Sequence, residues 1–179
     1  MQRIFAADIG GTNARFALFT EHEGILALTV AVWEKSADLR TAHDVLQLMQ
    51  RQLQSPLAAG DTLVIALAGP TQGLQGKLTN GVLRVDLSGV EQQYGLTCCL
   101  LLNDFTAQAF ATLTPVGVDA RPVRGNLLSD AASTQTKAIL GAGTGLGAAS
   151  LVCCGAAKGS NCWLAVPSEA GHAPFAFAG

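Results

Sequence analysis

Asp8, Gly10, Gly11, Thr12 and Asn13, at the end of the first apolar run, have the residue types of a site for a phosphate tail. Glycines let backbone N–H groups approach phosphate oxygens with no Cβ in the way, Thr12 and Asn13 add side-chain donors, and the Asp8 carboxylate can hold a magnesium ion directly or through water. The segment is not a Walker A loop, because GxxxxGK[ST] is absent and a strand pattern rather than a helix follows. A tight hairpin turn accounts for the same glycine pair. A second glycine run, GAGTGLG from Gly141 to Gly147, also lies between strand-like runs. It lacks GxGxxG spacing, which disfavours a Rossmann dinucleotide loop. Four glycines with Thr144 in seven residues cost more conformational entropy than a plain turn needs, so a second phosphate-gripping loop is the better reading.

Two further pairs carry acid, amide or imidazole groups. Asn103 and Asp104 stand where a strand-like run enters an alanine-rich helical pattern. That is an N-cap position, and the positive end of the helix dipole there also favours an ionised Asp104. A carboxylate so placed can orient a sugar hydroxyl and take its proton late in a loose phosphoryl transfer. Glu169 and His172, in PSEAGH, are too isolated from other ligand types for a metal site. On a glycine-loosened loop they suit a polyhydroxy ligand, each taking one or two hydroxyls, or else a solvated loop.

The elements that must position these groups read as follows. Strands are predicted over Arg3 to Asp8, Ala14 to Thr20 and Ile25 to Trp33. Leu39, Ala42, Val45, Leu46, Met49 and Leu53 share one helical face, with Ser36 or Asp38 as N-cap. Thr62 to Ala68 and Cys98 to Leu102 read as strands buried on both faces. Between them lie a hairpin pairing Lys77 to Thr79 with Val82 to Asp86, and a short helix over Val90 to Tyr94. The helix after Asp104 ends near Pro115, and three strand-like runs follow: Lys137 to Leu140, Leu146 to Cys153 and Cys162 to Val166. The stretch beyond Pro115, rich in Gly, Pro, Asp and Ser, marks a boundary between residues 1–114 and 115–179. The class is α/β with a mixed sheet.

Composition narrows the partners. Eleven basic and thirteen acidic residues give a formal charge of −2 with no Lys/Arg cluster, which excludes a nucleic-acid track. The apolar N-terminal run is too short to cross a bilayer, so a soluble, cytoplasmic protein without a membrane partner is expected. Five cysteines in two adjacent pairs plus one, with no CxxC, fit neither a disulfide framework nor a complete zinc site. They read as small buried hydrophobes in a reducing compartment, with redox chemistry the weaker alternative.

The series DIGGTNARFALF, LLNDFTA, GAGTGLG and PSEAGH resembles the bacterial glucokinase family within the hexokinase, Hsp70 and actin superfamily, over essentially the whole chain. That resemblance implies an actin-like ATPase (ribonuclease H-like) fold with flanking helices, and ATP-dependent phosphorylation of glucose at its 6-hydroxyl with ATP and Mg2+. It puts Asp8, Gly10, Gly11, Thr12 and Asn13 in a first phosphate loop, with Asp8 toward the metal, and Thr144 and Gly145 in a second. Asn103, Asp104, Glu169 and His172 become the glucose ligands and Asp104 the base. Thr79 and Asn80 in TNGVLRVD also match a family element. Ser168 and Ala170 stand where the family commonly has glycines. The family continues well past residue 179, so the second domain is expected to be incomplete here. A homodimer is one oligomeric form considered, and uncovered apolar sheet surface would favour self-association. The other readings are a non-catalytic sugar-binding or regulatory module, a sugar kinase of the related repressor and kinase family that shares DIGGT and an ExGH element, and an actin-like ATPase with another acceptor.

Overall fold

The computed structural model describes residues 1–114, 136–142, 146–157 and 160–168. Contacts group the chain into two compact units, Met1–Asp104 and Phe105–Gly179.

The first unit is built on a five-stranded sheet of β1 (Gln2–Ile9), β2 (Asn13–His22), β3 (Ile25–Lys35), β4 (Thr62–Leu67) and β8 (Cys98–Asn103), in the order β3-β2-β1-β4-β8. β1 pairs antiparallel with β2 and parallel with β4, and β4 pairs parallel with β8, so the sheet is mixed. Alternation places Phe5, Ala7 and Ile9 on one face, beside Leu18, Phe16 and Ala14 of β2 and Leu63, Ile65 and Leu67 of β4; all nine are buried. Cys99 and Leu101 extend that face across β8. β4 and β8 are less enclosed than their continuous apolar runs suggest. Val64 is only partly buried and Leu100 is 43% exposed, because the opposite face of the sheet is open to solvent there.

Helix α1 (Ala42–Leu53) covers the buried face with Val45, Leu46, Met49 and Leu53. Its cap is Thr41, not Ser36 or Asp38. Asp44 stands three residues after Thr41 and completes a capping box: Thr41 Oγ1 accepts from Asp44 N at 3.2 Å, and Asp44 Oδ2 accepts from Thr41 N at 2.8 Å. Backbone donors from Thr41 and Arg40 hold the Asp44 carboxyl below its ordinary range. A small antiparallel sheet of β5 (Thr71–Gln72), β6 (Gln75–Lys77) and β7 (Arg84–Asp86) follows β4, then α2 (Val90–Tyr94). The predicted hairpin therefore exists with its first strand shifted to Gln75–Lys77.

The second unit contains β9 (Lys137–Ala142), β10 (Leu146–Ala157) and β11 (Ser160–Ser168), an antiparallel sheet in the order β11-β10-β9. Helix α3 (Asp104–Ala111) was expected to close the first unit, yet from Phe105 onward it groups with the second. Its apolar side explains this. Ala109 packs with Ala149 and Leu151 of β10, and Phe105, Ile139, Trp163 and Ala165 pack around them. The other face of this sheet is open, with Leu140, Leu164 and Val166 at 71%, 55% and 42% exposure.

Candidate functional site

Three parallel strands end together. Ile9 of β1 is level with Leu67 of β4, and Leu67 is level with Asn103 of β8. The residues that leave this row are Gly10, Ala68 and Asp104, and Ala68 N–H donates to the Ile9 carbonyl at 2.9 Å. With neighbouring strands about 4.8 Å apart, Ile9 and Asn103 lie about 10 Å from each other. The carboxyl edge of parallel strands is where open α/β sheets bind ligands.

At that edge Gly10 to Asn13 form the tight turn between β1 and β2, with Gly10 N–H donating to the Asn13 carbonyl at 2.9 Å. Neither glycine has a positive φ, so conformational freedom is not why they are there. Close approach is the reason at Gly11, where a Cβ would stand 3.2 Å from the Asn80 carbonyl oxygen. The turn is thus braced against the Thr79–Asn80 element. It is held from the other side by Ser36 N–H donating to the Thr12 carbonyl at 3.2 Å and by Lys35 Nζ donating to Asn13 Oδ1 at 2.9 Å. Ser36 is itself buried.

Asp8 lies directly across from Arg15, and the two side chains form an ion pair at 2.9 Å. Both are about half exposed, at 49% and 60%, so the pair is open to exchange with another ligand. One solvent-facing carboxylate beside a glycine turn fits magnesium, which binds through one or two carboxylates and keeps its remaining positions for water and phosphate. Among the described residues no three His, Cys, Asp or Glu side chains cluster as a self-sufficient metal site.

Asn103 donates from Nδ2 to the Gly69 carbonyl at 3.1 Å, which anchors its side chain to the loop after β4. Asp104 is the first residue of α3. Gly69, just past the end of β4, belongs to no motif of the sequence. A Cβ there would run into the Lys77 carbonyl and stand 2.9 Å from Thr79 N, so only glycine lets the β4 loop and the Thr79 segment meet. Its signal in the sequence was weak: one glycine after a buried strand.

Of the second glycine run, Gly143, Thr144 and Gly145 lie outside the described residues, as do Glu169 and His172. The outer glycines have a packing role. Gly141 and Gly147 are cross-strand partners on β9 and β10. The Phe105 ring lies against both: a Cβ on Gly147 would overlap it, and one on Gly141 would stand 2.7 Å from its Cε1 atom. Two of the four glycines read as a phosphate loop are thus accounted for by an aromatic ring.

The mixed sheet with three parallel strands ending at one edge defines an actin-like ATPase fold, and the chain superposes on solved members of it. A glucokinase from an Antarctic psychrotroph matches with a TM-score of 0.74 and 27% identity, covering 100% of this chain and 53% of that one. The glucokinase of Balamuthia mandrillaris, solved in complex with glucose, matches in fold with a TM-score of 0.67 at 23% identity, over 99% of this chain and 50% of that one. The Glucokinase family model matches residues 5–179, and the chain belongs to the glucokinase family. Curated glucokinases of Saccharophagus degradans and Sinorhizobium medicae are 36% and 33% identical to it, over 96% and 94% of this chain. The chain spans about half the length of these relatives, 51% and 46%. Among the described residues no helix is long and apolar enough to cross a membrane.

Proposed function

We propose that the protein is the part of an ATP-dependent glucose kinase that carries the catalytic base, transferring the γ-phosphoryl group of ATP to the glucose 6-hydroxyl. The observation that supports this most is the shared edge: the glycine turn and Asn103–Asp104 stand at the level ends of β1 and β8, the parallel strands on either side of β4, in a chain of the glucokinase family. Backbone N–H groups of the turn after Gly10, with the Thr12 and Asn13 side chains, receive phosphate oxygens, and Thr144 and Gly145 add a second set. Asp8 holds magnesium, which when bound neutralises charge on the phosphates. Asn103, Asp104, Glu169 and His172 take the sugar hydroxyls. Asp104 accepts a hydrogen bond from the 6-hydroxyl, aims its oxygen at phosphorus, and receives its proton as the bond to phosphorus forms. The protein works in the cytoplasm.

Calorimetric titration with glucose, beside galactose, tests the sugar site in this chain. Glucose should bind, and Asp104→Ala should weaken it. Glucose-dependent ADP release in a full-length version tests the base: Asp104→Asn should lower turnover by ~10²–10⁴ with a much smaller change in sugar affinity. A wild-type rate in that variant would remove Asp104 from the role. The second reading is a non-catalytic sugar-binding or regulatory module. It predicts glucose binding with no ADP release even when the remaining half is supplied. The exposed apolar side chains of β9 and β11, with Ile25, Leu28 and Trp33 on β3, support self-association, for which a homodimer is the form expected. Sedimentation as a compact monomer would count against it.

A further inference from the structure

Cysteines expected to be buried hydrophobes are not all buried. Cys99 is, Cys98 and Cys153 are partly so, and Cys154 and Cys162 are exposed. The register between β10 and β11 brings the exposed two together. Cys153 pairs with Trp163 and Ala156 pairs with Asn161, with a shift between the two pairs. Cys154 and Gly155 on β10 therefore both stand opposite Cys162 on β11. Gly155 takes up the extra residue with φ at 110°, a backbone conformation suited to glycine. Alternation puts Cys153 and Trp163 on the face toward α3, where Leu151 is buried, and leaves Cys154 and Cys162 on the open face with Leu164 and Val166.

Directly opposed residues in an antiparallel ladder have Cα atoms about 4.5–5.5 Å apart, and at a bulge two residues share the place opposite one, which keeps Cys154 and Cys162 near the span of about 4.4–6.8 Å that a disulfide bridges. We propose that Cys154 and Cys162 form a dithiol site that is oxidised to an intrachain cross-strand disulfide by exchange with a small disulfide such as glutathione disulfide. One thiolate attacks a sulfur of the oxidant, forms a mixed disulfide and expels one glutathione thiolate. The second thiolate then attacks the protein sulfur of that mixed disulfide and expels the other. Two cysteine thiols are oxidised, one glutathione disulfide is reduced to two glutathione molecules, and the two cysteine protons pass to these. A soft metal is the weaker occupant, because a structural zinc site needs four ligands and, among the described residues, no third His, Cys, Asp or Glu joins the pair. The remaining cysteines do not compete. Cys98 and Cys99 are sequence neighbours on β8 and point to opposite faces, and burial, followed by the charge of Glu91, pushes the Cys99 thiol up to about 11. β11 ends at Ser168, one residue before Glu169, so the bridge would fix the register of the strand that leads into the proposed sugar loop.

The site is tested on the full 179-residue chain, reduced and then equilibrated with glutathione at increasing disulfide-to-thiol ratio. Titratable thiols should fall from five to three. Trypsin cuts after Lys158, between the two cysteines, so the resulting peptides should remain joined until a reductant is added. Cys154→Ser and Cys162→Ser should each abolish the joined pair, and Cys153→Ser should keep it. Five titratable thiols at every ratio would overturn the proposal. So would a mixed disulfide with glutathione that goes no further, a link between two chains, or a joined pair that survives Cys154→Ser.

Discussion

The two glycine-rich segments look alike on paper and differ in what their glycines admit. In the first, Gly11 lets a backbone carbonyl, that of Asn80, come close to a turn of the main chain. In the second, Gly141 and Gly147 face each other across β9 and β10 so that the Phe105 ring can lie on them. The first is an economy of backbone at the edge where parallel strands end. The second is a slot for a side chain within a hydrophobic cluster. A missing Cβ therefore reports close approach, and only the partner says whether that approach serves packing or leaves a surface for a ligand.

Substitutions can break this contrast, and the largest effect belongs to the slot. Gly147→Val should cost the second unit about 3 kcal/mol, read in urea unfolding or in hydrogen exchange of the β9 and β10 amides. Combined with Phe105→Ala it should cost about 2 kcal/mol less than the sum of the two single changes. Strict additivity would separate the glycine from the ring. Gly69→Ala should follow, at about 2 kcal/mol: it adds a single methyl, but the atoms that methyl meets are backbone and have little room to give. Thermal unfolding of the first unit reads that change. Gly11→Ala is milder. A contact at 3.2 Å yields with a shift of a few tenths of an ångström, so stability should change by about 1 kcal/mol or less. Nucleotide affinity, measured by calorimetry, should drop about tenfold if the turn grips phosphate through its N–H groups. Arg15→Gln should be smallest for stability, under about 1 kcal/mol, since its pair with Asp8 is exposed and screened by salt.

Several features were legible before any coordinates. The period-two burial of β1 and β2 and the period of α1 follow from where apolar residues fall, because alternation and a 3.6-residue repeat leave few ways to bury them. The glycine turn and Asn103–Asp104 stood out by residue type alone. Other readings missed for physical reasons. The helix cap moved to Thr41 because the choice among Ser36, Asp38 and Thr41 turns on a reciprocal bond with Asp44. Gly69 went unnoticed because its role depends on Lys77 and Thr79, which reach it only through the fold. That Cys154 and Cys162 come to face one another depends on a bulge that residue type does not announce.

What the sequence determined by itself was therefore local: which segments are strands or helices, which side faces the core, and which side chains have acid, amide or thiol chemistry. Tertiary structure alone decided which of those groups meet. The level row of Ile9, Leu67 and Asn103, the Phe105 ring over two glycines, and the two thiols brought to one bulge all join residues far apart in the chain or set by strand register. Register is fixed by the sum of many weak packing terms over a whole sheet, and no single residue encodes it.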